Sequence, residues 1–373
     1  MRDRNKIRGC LLGGAVGDAF GYPVEYLDFE QIQKRYGENG ILGYDLTNGF
    51  AEISDATQMA LFTANGLLMG KTHGSVKGKM GPYAAYIAAA YLDWVRTQRM
   101  VRRDPNYRHR CWLYQVPELH HRRHPDTTCL QTLSERTIGT IEQPCNQTKG
   151  SAGVTRVAPI GAFFDPHTMA QTEIDRLGAE AAAITHGHPT SWISATALVH
   201  LINCIIYCGA THADWKDLLD DTIHAVLHGF SSYSPEPLVN QMKRAYSLAG
   251  SKYTDRQVLE NLGSGTSGDE ALCMAIFCAV RYGEDFEGSI IAAINHNGDS
   301  ASVAALCGNL QGAMLGADKI PEYDLEPLEL RQVIDEVAFD LWADCGMTKN
   351  SNFYDEDWAR KYLEGRYQPE FRA

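Results

Sequence analysis

Apolar residues recur at three- and four-residue spacing over 57–69, 81–94, 174–184, 191–207, 270–280, 302–315 and 328–342, the period of a helix with one face turned inward. Alternation of apolar and polar positions, the mark of a half-buried strand, is scarce. Clusters of Gly, Pro, Asn and Asp of loop length separate the helical stretches. The pattern predicts an all-α fold, a single compact multi-helix domain over 1–373, with function carried at the joints between helices. A last helix bearing aromatic residues is predicted after position 350, and no internal repeat or low-complexity linker is visible.

The longest apolar run, 192–209, carries His200, Asn203 and several hydroxyls, so a buried helix explains it better than a membrane span. The opening MRDRNKIRGCLLGGAVGD runs from charge through glycines into Asp18 without an apolar core and cleavage site, which argues against a secretory signal. No transmembrane segment is predicted. One stretch breaks the helical rhythm: 100–125 is rich in Arg, His and aromatics and reads as a local insertion. Such a loop could meet phosphates or an acidic partner, but charge runs are usually solvated, and a surface excursion is the favoured reading. His120, His121 and His124 lack the companion Cys or carboxylate cluster of a zinc site.

Composition narrows the classes of function. Hydrophobic residues make up 44% of the 373 and charged residues 21%, values of an ordinary globular protein. A formal charge of −12 disfavours nucleic acid and anionic membrane as partners, because both reward a basic face. Ten cysteines, among them Cys204, Cys208, Cys273, Cys278 and Cys307, sit singly without CxxC pairs, which fits reduced thiols in the cytoplasm. A monomer acting on a small molecule or a protein is the expectation.

Two segments carry candidate chemistry. Ser54, Asp55, Ala56 and Thr57, and far along the chain Asp299, Ser300, Ala301 and Ser302, each place an acid and hydroxyls at the start of a predicted helix. Helix capping explains either segment alone. Facing each other, they could supply the oxygen ligands that a hard cation such as Mg²⁺ prefers. The GSGTSG stretch at 263–268 looks superficially like a dinucleotide fingerprint, but no strand precedes it and no acid follows at the right distance.

Taken with GCLLGGAVGDAFGYPVE, TKGSAGVTRVAPIG, ITHGHPTSWISA and GSGTSGDEAL, in that order over about 8–316, these segments resemble the motifs of the ADP-ribosylglycohydrolase family. The resemblance implies an all-α hydrolase that removes ADP-ribose from a modified protein side chain, arginine favoured, at a dinuclear Mg site, with Mn possible. Its partners would be ADP-ribose or an ADP-ribosylated protein. By the resemblance Ser54, Asp55, Asp299 and Ser302 are metal ligands, and Asp55 and Asp299 act in catalysis with Glu25. Asp18, Gly150, Ser151, Gly153, His186, Ser264, Gly265 and Gly268 match positions at the substrate, with His188 a weaker candidate. Ser151 and Ala152 depart from the Cys and Gly more usual there.

Family members typically carry Ser/Thr-Asp-Asp-Thr and Gly-Asp-Ser-Asp-Ser/Thr, so Ala56 and Ala301 stand where the second acid of each motif belongs. A methyl group binds no magnesium. The resemblance therefore implies fewer or weaker ions and a strongly impaired enzyme, the alternative being an ADP-ribose-binding pseudoenzyme without turnover. Paired loss with the surroundings intact fits deliberate inactivation better than scattered decay, and the sequence leaves both origins open.

Overall fold

Helices begin where the sequence supplies a cap. Asp3, Asp28, Ser54, Asp126, Thr254, Asp285, Asp299 and Asp355 each accept a hydrogen bond from a free amide of the first turn that follows. The computed structural model describes residues 2–78, 81–98, 107–350 and 352–366. Its first half contains α1 Arg4–Gly21, α2 Phe29–Tyr36, α3 Asp55–Lys77, α4 Tyr83–Thr97, α5 Thr127–Glu135, α6 Ala152–Thr155, α7 Ala158–Phe163 and α8 Gln171–Ala183. There follow α9 Pro189–Tyr207, α10 Trp215–Gly229, α11 Glu236–Ala249, α12 Asp255–Leu262, α13 Gly268–Tyr282, α14 Phe286–Ile294, α15 Ser300–Leu315, α16 Glu322–Leu325, α17 Arg331–Ala343 and α18 Glu356–Tyr362. Among the described residues there is no strand, only isolated bridges such as Gly150 with Ser267, and the all-α expectation holds.

The centre of the molecule is a helix that the apolar spacing does not announce. α1 is buried from Cys10, and nearly so from Ile7, to its end although it carries Gly9, Gly13, Gly14, Gly17 and Gly21. Glycine is a poor helix former, so a propensity reading passes over this segment. Packing supplies the reason for it. A Cβ at Gly9, Gly13, Gly17 or Gly21 would strike the backbone of Gly312, Gly308, Ala304 or Ser300 respectively, and α15 returns the fit with Gly308 and Gly312 against Gly13 and Gly9. The two helices therefore run antiparallel with their backbones in close approach, which only small residues permit.

That seam sets the end of α1, with Asp18, beside the start of α15, with Asp299. Around it α3 packs on α4, α9 on α7 and α8, and α13 on α11, α14 and α15. Among the described residues one helix, Pro189–Tyr207, is apolar and long enough to cross a membrane, and 89% of that window is buried inside the protein, as the buried-helix reading requires. α17 starts at Arg331 rather than 328, because Leu330 adopts a left-handed conformation that breaks the turn.

The basic insertion differs in part from the favoured reading. Residues 100–106 lie outside the described part, but Cys111, Trp112, Leu113 and Leu119 are buried and two short 3₁₀ turns, Trp112–Gln115 and Pro117–His120, anchor the rest. Its aromatic and aliphatic residues pin the segment to the body, while Arg108, Arg110, His121, Arg122 and His124 stay exposed on the surface, as the favoured reading has them.

Candidate active site

The start of α3 is built from below by Asp18. Its Oδ2 accepts from the amides of Ser54 (2.9 Å) and Thr57 (3.2 Å) and from the Thr57 hydroxyl (2.5 Å). Asp18 is fully buried, and burial pushes its carboxyl up to about 6 against the hydrogen bonds from Ser54 and Thr57. Through this oxygen it positions the start of α3, while its Oδ1 has no hydrogen-bond partner. Ser54 caps the helix by accepting from the Ala56 amide (3.1 Å). Asp55, next in line, accepts from the Asp126 amide at Oδ2 (2.8 Å) and donates its own amide to the Arg123 carbonyl (3.1 Å).

The start of α15 is its counterpart. Asp299 accepts from the Ser302 amide at Oδ1 (2.9 Å) and from the Ser151 hydroxyl at Oδ2 (2.8 Å), and the Ser302 hydroxyl donates to that of Ser151 (3.1 Å). Ser151 is therefore tied to the acidic motif. Three loops are stitched together here: the amides of Asp299, Ser151 and Gly268 donate to the carbonyls of Ser264, Thr266 and Lys149 at 2.8, 3.1 and 2.9 Å. Gly298 (φ +121) and Gly265 (φ +74) make the sharp bends at this joint in the region that favours glycine. The stitching engages the amides of Ser151 and Gly268, and Ser264 donates its own to Glu270 (3.0 Å). The amides of Gly150 and Gly265 have no partner among the described residues.

Glu25 closes the acidic group. Its side chain is 6% exposed, and Oε2 lies 3.1 Å from His124 Nδ1. Burial first, then the charges of Asp299, Asp55 and Asp18, push its carboxyl up to about 9. Asp55 and Asp299 are raised too, mainly by burial, in each case against hydrogen bonds that favour the charged form. Acids that feel one another in a buried site call for positive charge. Ala56 and Ala301, one and two residues along from Asp55 and Asp299, are both buried and carry only methyl groups.

His186 lies behind the 149–156 loop, fully buried. Its Nδ1 pairs with the Thr185 hydroxyl (2.9 Å), which accepts from Arg156 Nη2 (2.7 Å). Burial pushes the imidazole down to about 4, so it is neutral at pH 7. Its Nε2 has no hydrogen-bond partner and sits 3.9 Å from Asp126 Oδ1. A side chain on Gly150 would crowd this ring, and one on Gly153 would crowd both the ring and Ser191. His188 caps α9 by accepting from the Thr190 amide (3.1 Å), a structural role.

The sequence model of ADP-ribosylglycohydrolases matches residues 1–351. This chain belongs to the ADP-ribosylglycohydrolase family. An uncharacterized protein of Archaeoglobus fulgidus is 29% identical over 345 residues, covering 90% of this chain and 96% of its own. The ADP-ribosylarginine hydrolase Tri1 of Pseudomonas putida is 25% identical, over 91% of this chain and 78% of that protein. Among solved structures, one described as an ADP-ribosylglycohydrolase-related protein complex shares the fold, with a TM-score of 0.57, 23% identity and coverage of 91% and 98%.

Membership makes ADP-ribosylated substrates and a metal-dependent glycohydrolase site the family-level reading of this joint. The fit to a hard cation rests on the donor set: Asp55, Asp299, Ser54 and Ser302 offer oxygen only, and all four are buried. Asp126, Cys129 and His186 bring ligand atoms within 4.8 Å of one another, but Arg156 Nη1 donates to Cys129 Sγ (3.2 Å) and sets a positive charge against any ion there. A cleft of about 800 Å³ between α4 and the α5–α8 region, lined by Leu92, Arg96, Ile138 and Glu180, contains none of these residues.

Residues that the sequence reading missed also meet at this candidate site. His124 and Asp126 come from the end of the basic insertion and its junction with α5, and they touch Glu25 and Asp55. The string HRRHPD held a signal, since a proline between His124 and Asp126 fixes a turn before a capped helix.

Proposed function

We propose that the chain is a hydrolase releasing ADP-ribose from modified arginine, with Ser54, Asp55, Asp299 and Ser302 holding Mg²⁺, or Mn²⁺ in its place, and with turnover impaired by Ala56 and Ala301. The observation that carries this reading is the meeting of two acid-bearing helix starts, at Asp55 and Asp299, beside the buried Glu25, whose carboxyl is raised by burial and then by the charges of both. Bound there, the cation supplies positive charge that orients ribose hydroxyls and makes water more acidic.

The chain's own residues do the rest. Hydrolysis breaks the bond from the anomeric carbon to the guanidine nitrogen, forms one to a water oxygen, and delivers a proton to the departing guanidine. Glu25 is placed to exchange a proton with that water. It holds its proton to about pH 9 in the metal-free chain, and nearby positive charge lowers that value towards a base's range. The unpartnered amides of Gly150 and Gly265 suit the diphosphate. His186 fixes the loop that carries Gly150. Ten free cysteines support a reducing, cytoplasmic setting, and we take the active form to be a monomer.

The methyl groups of Ala56 and Ala301 favour a second reading, an ADP-ribose-binding protein without turnover. Release of ADP-ribose from arginine-modified protein, with magnesium and with chelator, for all four Ala/Asp combinations at 56 and 301, separates the two. The double Ala56→Asp, Ala301→Asp chain is expected to gain magnesium-dependent release, with less from either change alone because ligands of a shared site are not additive. Calorimetric ADP-ribose binding without release by any combination gives the site to the binding reading. Neither binding nor release overturns both.

A further inference from the structure

In the far half of α9, 11 to 15 residues or about 16–22 Å of helix from Pro189, a second polar cluster sits with two members buried and one exposed. His200 Nε2 lies 3.3 Å from Asp221 Oδ2, and Cys204 Sγ lies 3.8 Å from the same oxygen. All three ligand atoms fall within 4.8 Å of one another. His200 and Cys204 are one turn apart on α9, and Asp221 reaches them from α10. None of the three belongs to the site at the helix starts.

We propose that His200, Cys204 and Asp221 form a zinc site. The donor set is one nitrogen, one sulfur and one carboxylate oxygen, the combination that a borderline-soft cation accepts and Mg²⁺ does not. The spacing matches as well, because tetrahedral bonds of about 2.0–2.3 Å set ligand atoms about 3.3–3.7 Å apart. The second ring nitrogen of His200, Nδ1, pairs with Asp175 Oδ2 at 2.9 Å, and Gln171 Nε2 donates to the other carboxylate oxygen at 2.9 Å. A carboxylate behind the imidazole, itself held in place, is the arrangement that orients a zinc-bound histidine.

Access is open on one side. Asp221 has 64% of its side chain exposed, and Cys208, one turn past Cys204, is exposed at the same edge. Three protein ligands leave the fourth position to water. The ion would tie α9 to α10.

The test uses the full chain, stripped with chelator, dialysed, and titrated with zinc chloride by calorimetry and with cobalt(II) by absorption. Binding of one zinc per chain is expected, with a thiolate-to-cobalt charge-transfer band that Cys204→Ser abolishes. Asp221→Asn, a change at an exposed position, is expected to weaken zinc at least tenfold, and Asp175→Asn to weaken it about 10–100-fold. Circular dichroism of each variant checks that the helices persist. Absence of zinc binding at micromolar concentrations, or zinc affinity unchanged in folded Cys204→Ser and Asp221→Asn proteins, overturns the proposal and leaves an ion-paired triad.

Discussion

The amide of Asp126 donates to Oδ2 of Asp55 across 2.8 Å, joining a basic insertion to the acid at the start of α3. Residues 121–126 form part of the site's wall through this bond and its neighbours. Gln58 Nε2 donates to the His121 carbonyl (3.0 Å), and Arg123 Nη2 spans Glu52 (3.0 Å) and Glu329 (2.7 Å). A stretch rich in positive charge is thereby held by acids of the body, next to acids of the site.

Arg123→Ala should expose the importance of that hold. Glu329 is 8% exposed, and removing its partner leaves a nearly buried charge unpaired, at a cost of about 3 kcal/mol. Denaturant unfolding should show the loss, and ADP-ribose affinity should fall with it. Unchanged stability would mean that the segment is held by its buried aromatics alone.

The seam between α1 and α15 gives a prediction of sign. Helix propensity alone favours alanine over glycine by about 1 kcal/mol. Gly13→Ala and Gly308→Ala are nevertheless expected to destabilise by about 1–3 kcal/mol or more, because each new methyl meets facing backbone that no rotamer change can clear. A gain in Tm in either variant would contradict the close approach.

Arg156→Lys is not a conservative change here. The guanidinium is fully buried, donates to Thr185 (2.7 Å), to the Ala181 and Ala182 carbonyls (3.0 and 3.3 Å) and to Cys129 (3.2 Å), and lies 4.5 Å over the Tyr91 ring. A lysine cannot reproduce the fork, and the expected loss is about 3 kcal/mol or more. Thr185 also holds His186, so ADP-ribose binding by calorimetry should weaken in parallel. A lysine variant with normal stability and binding would show the fork to be dispensable.

Asp324 supplies the pH dependence. Burial, and then the charge of Glu287, push its carboxyl from 3.8 to about 7, and its Oδ2 has no partner. The folded chain thus binds this proton more tightly than the unfolded chain, so the contribution to stability is present below about pH 4 and is lost as pH rises towards 7. Asp324→Asn should therefore raise Tm relative to the parent more at pH 8 than at pH 5. An equal shift at both values would remove the titration argument.

How much of this was legible depends on where the information lies. Ser54, Asp55, Asp299 and Ser302 stand out as candidates because caps and acids sit within a few positions of one another, and such local chemistry survives in a string of letters. The helicity of 4–21 could not, since its glycines are read as breakers until their partner backbone at 300–315 is in view. The hold of Asp18 on the start of α3 was not legible, because its Oδ2 meets amides 36 and 39 positions away. Asp126 and His124 were hidden by the general rule that charged runs are solvated. His200 and Cys204 read as isolated residues until α10 brought Asp221 to them.

The long separation along the chain of the two glycine-rich helices has a consequence during synthesis. α1 leaves the ribosome about 280 residues ahead of the helix it must lie against, a wait of roughly 15 to 55 seconds at ordinary elongation rates. For that interval a small, apolar, weakly helical segment lacks the partner its glycines fit, and Asp55 has no opposing loop. The candidate site and the molecule's centre are thus completed together and late, when α15 emerges and slides against the waiting glycines.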